Sequence, residues 1–239
     1  MEVHAHTHSA RKKWTHYFWE FLMLFLAVFA GFLAENQREH MVEKARGKQY
    51  ILSFCEDLKS DTTNFNLLIK ELKDKQSELK NLANCFDSLS GSVQSTECLK
   101  KIIINSMGFS DFIYSDTTIQ QLKYAGGLRL IQDKEIADSI VRYDAMVREE
   151  QIHQQVLENQ QQITINAHNT MIGFEQLRNL KMSGVSNDIF LLTNDRREMN
   201  KYFNELFTFQ RGCLGQLTWM KYLKGMATRM LYFLNKKHY

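Results

Sequence analysis

Two hydrophobic patterns divide the chain. From Trp14 to Ala34, WTHYFWEFLMLFLAVFAGFLA, the residues are apolar almost without interruption, and from Phe21 onward no helical face of this run is polar. At about 1.5 Å per residue the run matches the roughly 30 Å hydrocarbon layer of a bilayer. From Ile51 on, apolar positions recur at intervals of three, four and seven instead. Ile51, Cys55, Leu58, Thr62, Phe65, Ile69, Leu72, Leu79 and Phe86 fall on one stripe of a helix that the spacing predicts to end near Leu89. No alternation of period two is sustained, so almost no sheet is expected. The expected fold is all-α, a single N-terminal transmembrane helix continuing into an elongated helical bundle.

The same reading places the later elements. Ser, Gly and Thr between Ser88 and Thr96 mark a turn, with Ser95 or Thr96 as N-cap of a short helix carrying Leu99, Ile102 and Ile103. Asp116 or Thr117 is placed to cap another short helix that Gly126 ends in a left-handed conformation. Asp133 opens a long helix whose early face uses Ile136, Ile140, Tyr143 and Val147. A later face, Ile152, Val156, Ile163, Ala167, Phe174 and Leu177, lies about half a turn away, which predicts a bend or a change of packing neighbour at Arg148 to Gln151. After a breaker cluster at Ser183 to Asn187 and an apolar patch at Ile189 to Leu192, Asp195 and Glu198 read as a capping box. The last helix then turns Met199, Phe203, Leu206, Cys213, Leu217 and Met220 inward.

The apolar run reads as an anchor. A cleaved signal peptide is the rival, with Val28 and Ala30 as the small pair before a cut at Gly31. Against it, a leader of that kind would carry three large aromatics and Glu20 ahead of its core. Trp14, Tyr17, Phe18 and Trp19 suit the membrane interface. The domain reading is a cytoplasmic, His-rich basic tail over 1–13, the transmembrane helix over 14–34 and a helical extramembrane domain over 35–239. Arg11, Lys12 and Lys13 are clustered, whereas Glu35, Glu39 and Glu43 interrupt Arg38, Lys44, Arg46 and Lys48, which favours the N-terminus in the cytoplasm.

Within the anchor, His16, Glu20, Met23, Ala27, Ala30, Gly31 and Ala34 share about a third of the helical circumference. Lipid alone does not ask for small residues and the ionisable groups together, and small residues let helix backbones approach closely. This is a candidate helix-association face, and a homo-oligomer through the transmembrane helix is expected. His4, His6 and His8 alternate in the tail and are weak candidates for metal ligands, though flexible ligands make weak sites.

Composition narrows the function classes. The chain has no proline and a formal net charge of +3, too small a basic excess to argue for nucleic acid as a partner. Cys85 and Cys98 flank the Ser/Gly segment and are a candidate disulfide if the domain lies outside the cytoplasm, whereas Cys55 and Cys213 sit at apolar helix positions and read as core. Lys221, Lys224, Arg229, Lys236 and Lys237, interleaved with Trp219, Tyr222, Tyr232, Phe233 and Tyr239, fit a bundle helix with snorkelling cations better than a membrane-surface helix. His153 and His168 fall on polar faces and are expected in solvent. No phosphate-cradling loop, nucleophile elbow or helical zinc pair appears, so neither catalysis nor a cofactor is expected.

HAHTHSARKKWTHYFWEFLMLFLAVFAGFLAENQREH closely resembles the opening of an uncharacterised family of membrane-anchored Bacteroidota proteins, a domain of unknown function. TTIQQLKYAGGLRLIQDKEIADSIVRYD resembles that family's internal signature, with Ala125 and Gly126 where such proteins often carry Ser and Gly. The resemblance implies a Gram-negative inner-membrane location and brings no activity. The resulting expectation is a single-pass inner-membrane protein with a periplasmic scaffold, interaction or sensory domain and an unknown protein partner. The alternative is a receptor domain with a small-molecule pocket between bundle helices.

Overall fold

The computed structural model of the chain describes residues 14–89, 96–108, 110–182, 189 and 191–237. Its first element, α1 (Trp14–Leu79), is a single helix of 66 residues, about 100 Å long. Among the described residues none before Gly47 is buried, and from Gly47 onward a stripe through Ile51, Phe54, Leu58, Phe65, Leu72 and Leu79 is buried. The sequence supplies no reason for a break where the apolar run ends, and none occurs. The helix does break at Lys80 and Asn81, short of the expected end near Leu89. There the amide of Asn81 bonds the carbonyl three residues back, Glu78 O, at 3.3 Å, and α2 (Leu82–Leu89) resumes beyond this tightened turn.

α3 (Thr96–Met107) buries Leu99, Ile102 and Ile103. The turn expected ahead of it falls mostly at 90–95, outside the described residues, as does the breaker cluster at 183–187. α4 (Thr117–Tyr124) ends at Gly126, whose φ of 68° is the left-handed value that glycine adopts without strain. Asp116 does not cap it with its side chain, which accepts instead from Gln120 Nε2 at 2.8 Å. A 3₁₀ turn over Gly127–Leu130 then lays the Leu130 carbonyl directly on Gly47, a contact that leaves no room for a Cβ at position 47.

α5 (Lys134–Met171) starts at Asp133, whose Oδ1 accepts from the amides of Glu135 and Ile136 at 3.0 and 3.3 Å. It runs unbroken, and the expected change of face at Arg148 to Gln151 does not occur. The early stripe continues through Glu150, Gln154, Leu157, Thr164, His168 and Met171, all buried, while Ile152, Val156, Ile163 and Phe174 are exposed. Spacing at three and four residues was preserved, but it passed through polar residues, of which Gln154, Thr164 and His168 find partners inside.

α6 (Phe174–Met182) is short, and α7 (Arg196–Lys236) closes the bundle. Asp195 Oδ1 accepts from the amides of Arg197 and Glu198 at 2.7 and 3.1 Å. The reciprocal half of the capping box is replaced, because the Asp195 amide donates to Thr193 Oγ1 at 3.0 Å. α7 lies against both α1 and α5 and antiparallel to each: Phe203 packs on Phe86 at 5.1 Å near its start, and Lys237 pairs with Asp133 at its end. That end sits where α1 enters the bundle, so Lys236 and Lys237 belong to a bundle helix, with Lys237 also 4.6 Å from the Phe233 ring. Among the described residues there is no strand, only an isolated antiparallel bridge between Ile172 and Leu191.

Candidate functional site

The first candidate surface is the bare part of α1. His16, Glu20, Met23, Ala27, Ala30, Gly31 and Ala34 are all exposed, and nothing approaches the position of a Gly31 Cβ within 4 Å. His16 Nδ1 lies 3.2 Å from Glu20 Oε1, and His16, Trp19, Glu20, Met23, Leu24 and Ala27 line a shallow groove. On the opposite side of the helix, Phe21, Phe25 and Phe29 form a ladder with ring centroids 6.3 and 5.9 Å apart. One side is therefore small and grooved, and the other is bulky and aromatic.

The second lies in the half of the bundle that α1 enters, where the segment before α5 docks on α1. Asp61 is fully buried; its Oδ1 accepts from the Ser115 amide at 2.9 Å and its Oδ2 from the Tyr143 hydroxyl at 2.7 Å. Burial pushes this carboxyl up to about 6 in spite of those donors. One turn earlier Asp57 Oδ2 accepts from the Thr118 amide at 3.1 Å, taking over a free donor at the start of α4. Asp144, also fully buried, receives Lys123 and Arg148 and the Tyr114 hydroxyl at 3.2 Å. Burial pushes the Asp144 carboxyl up, but the hydrogen bonds from the two cations outweigh it and leave it below its ordinary value.

The third lies beyond Val147. His168, expected in solvent, is fully buried: its Nε2 is 2.6 Å from Ser106 Oγ and its Nδ1 is 2.8 Å from Tyr202 OH. Burial lowers its pKa to about 4, so the ring is neutral at pH 7. Ser106 Oγ also lies 3.0 Å from the Ile103 carbonyl, and that oxygen can only accept the hydroxyl proton. The chain therefore runs from Tyr202 OH to Nδ1, from Nε2–H to Ser106 Oγ, and from Ser106 to Ile103. A serine whose proton points away from the imidazole is not activated as a nucleophile, so the arrangement fastens α3, α5 and α7 together. Nearby, Lys75 Nζ and Gln161 Nε2 bond carbonyls at the end of α3, at Asn105 and Gly108 and at Ser106 respectively. These are the acceptors that a helix C-terminus leaves unsatisfied.

Glu150 differs from all of these. It is fully buried, neither carboxyl oxygen has a hydrogen-bond partner, and burial pushes it up to about 7, with the Gln216 side chain the only group drawing it down. His153 stays exposed, stacked on Trp219 at 5.4 Å. The sulfurs of Cys85 and Cys98 are bonded, with Cα atoms 5.7 Å apart, which pins α2 to α3. Cys55 and Cys213 are buried free thiols, the latter pushed up to about 12 by burial. His4, His6 and His8 lie outside the described residues, and among those described no group of three His, Cys, Asp or Glu is placed to hold a metal.

No protein-family model, curated protein or solved structure matches the chain. Sequence reasoning missed the two polar clusters, the one around Asp61 and Asp144 and the one around His168. Their signal was present, since Asp61, Glu150, Gln154 and His168 each sit at three or four residues from an apolar core position. Side-chain polarity made those positions read as solvent-facing.

Proposed function

We propose that this is a single-pass inner-membrane protein whose helical domain lies in the periplasm. It acts by contact, as a scaffold or sensory module, and self-associates through its anchor. The observation that carries the reading is that the bare apolar helix and the central core helix are one element. Over residues 14–34 no residue of α1 is buried, and from Gly47 to Leu79 it is a main support of the bundle. An apolar helix with no internal partner is at home in lipid, and a helix rigidly shared by anchor and domain suits transmission of position. The bonded Cys85 and Cys98 suit an oxidising compartment, as does the clustering of cations ahead of Trp14. The resemblance to membrane-anchored Bacteroidota proteins supports the same placement.

A receptor pocket has less support. The grooves between α5 and α7, about 220 Å³ beside Ala167 and Tyr202 and about 310 Å³ beside Arg142 and Met226, are both half open and at or below the small end of ligand sites. The buried polar groups around the first are spent on one another.

A cysteine at Lys236 tests the topology in whole cells. An impermeant thiol reagent is expected to label Lys236→Cys once the outer membrane alone is opened. Labelling only after the inner membrane is breached overturns the periplasmic placement. Release of intact chain by carbonate, or mature protein beginning at Gly31, overturns the anchor.

A further inference from the structure

We infer that two copies of this chain meet in parallel along α1 beyond the membrane, through Met41, Ala45 and Leu52, in line with the small-residue face of the anchor. The inference rests on the self-association proposed above and extends it to a surface in water.

At 100° per residue, Met41, Ala45 and Leu52 fall within about 30° of the direction of Met23, Ala27, Ala30 and Ala34. The buried residues of α1, from Gly47 through Leu79, point nearly the opposite way, about 150° round the axis. The association face is thus the back of α1 as seen from its own bundle, and the bundle does not stand in a partner's way. Between the anchor and Gly47 no residue of the helix is buried and only Glu43 is half-buried, and Met41 is 58% exposed, with Leu52 at 38%. A helix of about a dozen residues in water is marginal without packing. The charges along this stretch, Glu35, Arg38, Glu39, Glu43, Lys44, Arg46 and Lys48, are mixed in sign, so two copies do not repel strongly. Arg38 and Lys48 also fall on this side; Arg38 is drawn off it by Glu35, its guanidinium meeting that carboxylate at 2.5 and 2.9 Å, and Lys48, exposed at the edge of the stripe, can carry its ammonium out to water on its long stem.

Length and end point agree with a second copy as the occupant. From His16 to Leu52 the stripe is about 54 Å long and, at about 10 Å wide, offers roughly 1,100 Å² to a symmetric pair, just above the roughly 1,000 Å² that a biological interface should clear. The part in lipid supplies only about half of that, and lipid adds no hydrophobic drive between helices. Water does, and Met41 and Leu52 are where it acts. Beyond Leu52 the same side turns polar at Glu56 and Lys59, which bond each other at 2.7 Å, so the contact ends there. Two anchors in one bilayer with the same topology impose the parallel arrangement.

The test is oxidative cross-linking of the full chain in native membranes with single added cysteines, the unmodified chain being the background. Ala27→Cys, Ala45→Cys and Leu52→Cys are expected to give covalent dimer in most of the chain. Lys44→Cys and Arg46→Cys, exposed but about 80° to one side of the face and about 120° to the other, are expected to give several-fold less. Dimer at Ala27→Cys without dimer at Ala45→Cys and Leu52→Cys overturns this inference and leaves the self-associating anchor standing. Absence of dimer at all three overturns both. Equal dimer at all five positions shows collision without a face and overturns the inference too.

Discussion

The half of the bundle that α1 enters and the half beyond Val147 solve the same problem, polar groups inside a helical core, by different chemistry. Near the entry, buried carboxylates are met by donors: Asp61 by the Ser115 amide and Tyr143, Asp144 by Lys123, Arg148 and Tyr114. These bonds are directional, and they set the orientation of the segment before α5 against α1. Beyond Val147 the fastening is neutral or covalent, through Ser106, His168 and Tyr202 and through Cys85 and Cys98, and one carboxyl, Glu150, is left without a donor. The difference teaches where the domain is held and where it can respond. The entry half keeps α1 registered to the bundle; Asp61, His168 and Glu150 all change protonation between about pH 4 and pH 7, but of these only Glu150, in the far half, does so without a hydrogen-bond donor to hold it.

The comparison breaks most severely at Asp61. Asp61→Ala leaves the Ser115 amide and the Tyr143 hydroxyl buried without an acceptor, and is expected to cost about 4 kcal/mol. Thermal unfolding of the detergent-solubilised chain measures it, with Asp61→Asn, which keeps an acceptor, expected to lose clearly less. In the far half, reduction of the Cys85–Cys98 bond, with a sequence separation of 13, is expected to cost about 3 kcal/mol. Midpoints of denaturant unfolding with and without reductant report it.

Glu150 sharpens the contrast with the opposite sign. Its folded pKa, about 7, lies above the ordinary 4.5, so its ionisation works against the fold. That penalty is absent at pH 4, grows as pH rises from about 4.5 to 7 and is constant above. Glu150→Gln is therefore expected to stabilise the chain by about 2 to 3 kcal/mol at pH 8 and by almost nothing at pH 4. Equal effects at both pH values would show that the carboxyl is not held away from donors. The smallest effects belong to the caps. Asp133→Ala at the entry end and Asp195→Ala at the far end are each expected to cost about 1 kcal/mol, seen as a modest drop in Tm.

The helices could be read in the sequence because their evidence is periodic. The stripe from Met199 to Met220 keeps an apolar residue every three or four positions and that from Ile51 to Leu79 every three, four or seven, and both are buried. Asp133, Asp195 and Gly126 mark boundaries by local chemistry alone. What could not be read depends on pairs far apart in the chain. His168 becomes an interior residue because Ser106 and Tyr202, 62 and 34 positions away, supply partners for both ring nitrogens. Ile152, Val156 and Ile163 end up outside for the same reason, since Gln154, Thr164 and His168 on the other face of α5 have hydrogen-bond partners within. The Asp57 and Asp61 bonds to the segment 115–118 are equally invisible to periodicity, because their donors are main-chain amides.

The uninterrupted passage of α1 from the bare segment into the core has a mechanical consequence. The bundle hangs on one side of a stiff shaft, with its neighbouring helix axis about 8 to 10 Å off centre. Twisting the shaft by the angle between successive residues, about 100°, sweeps that neighbour along an arc of about 15 Å. A rotation applied to the bare segment thus becomes a sideways displacement of the bundle, as with a crank.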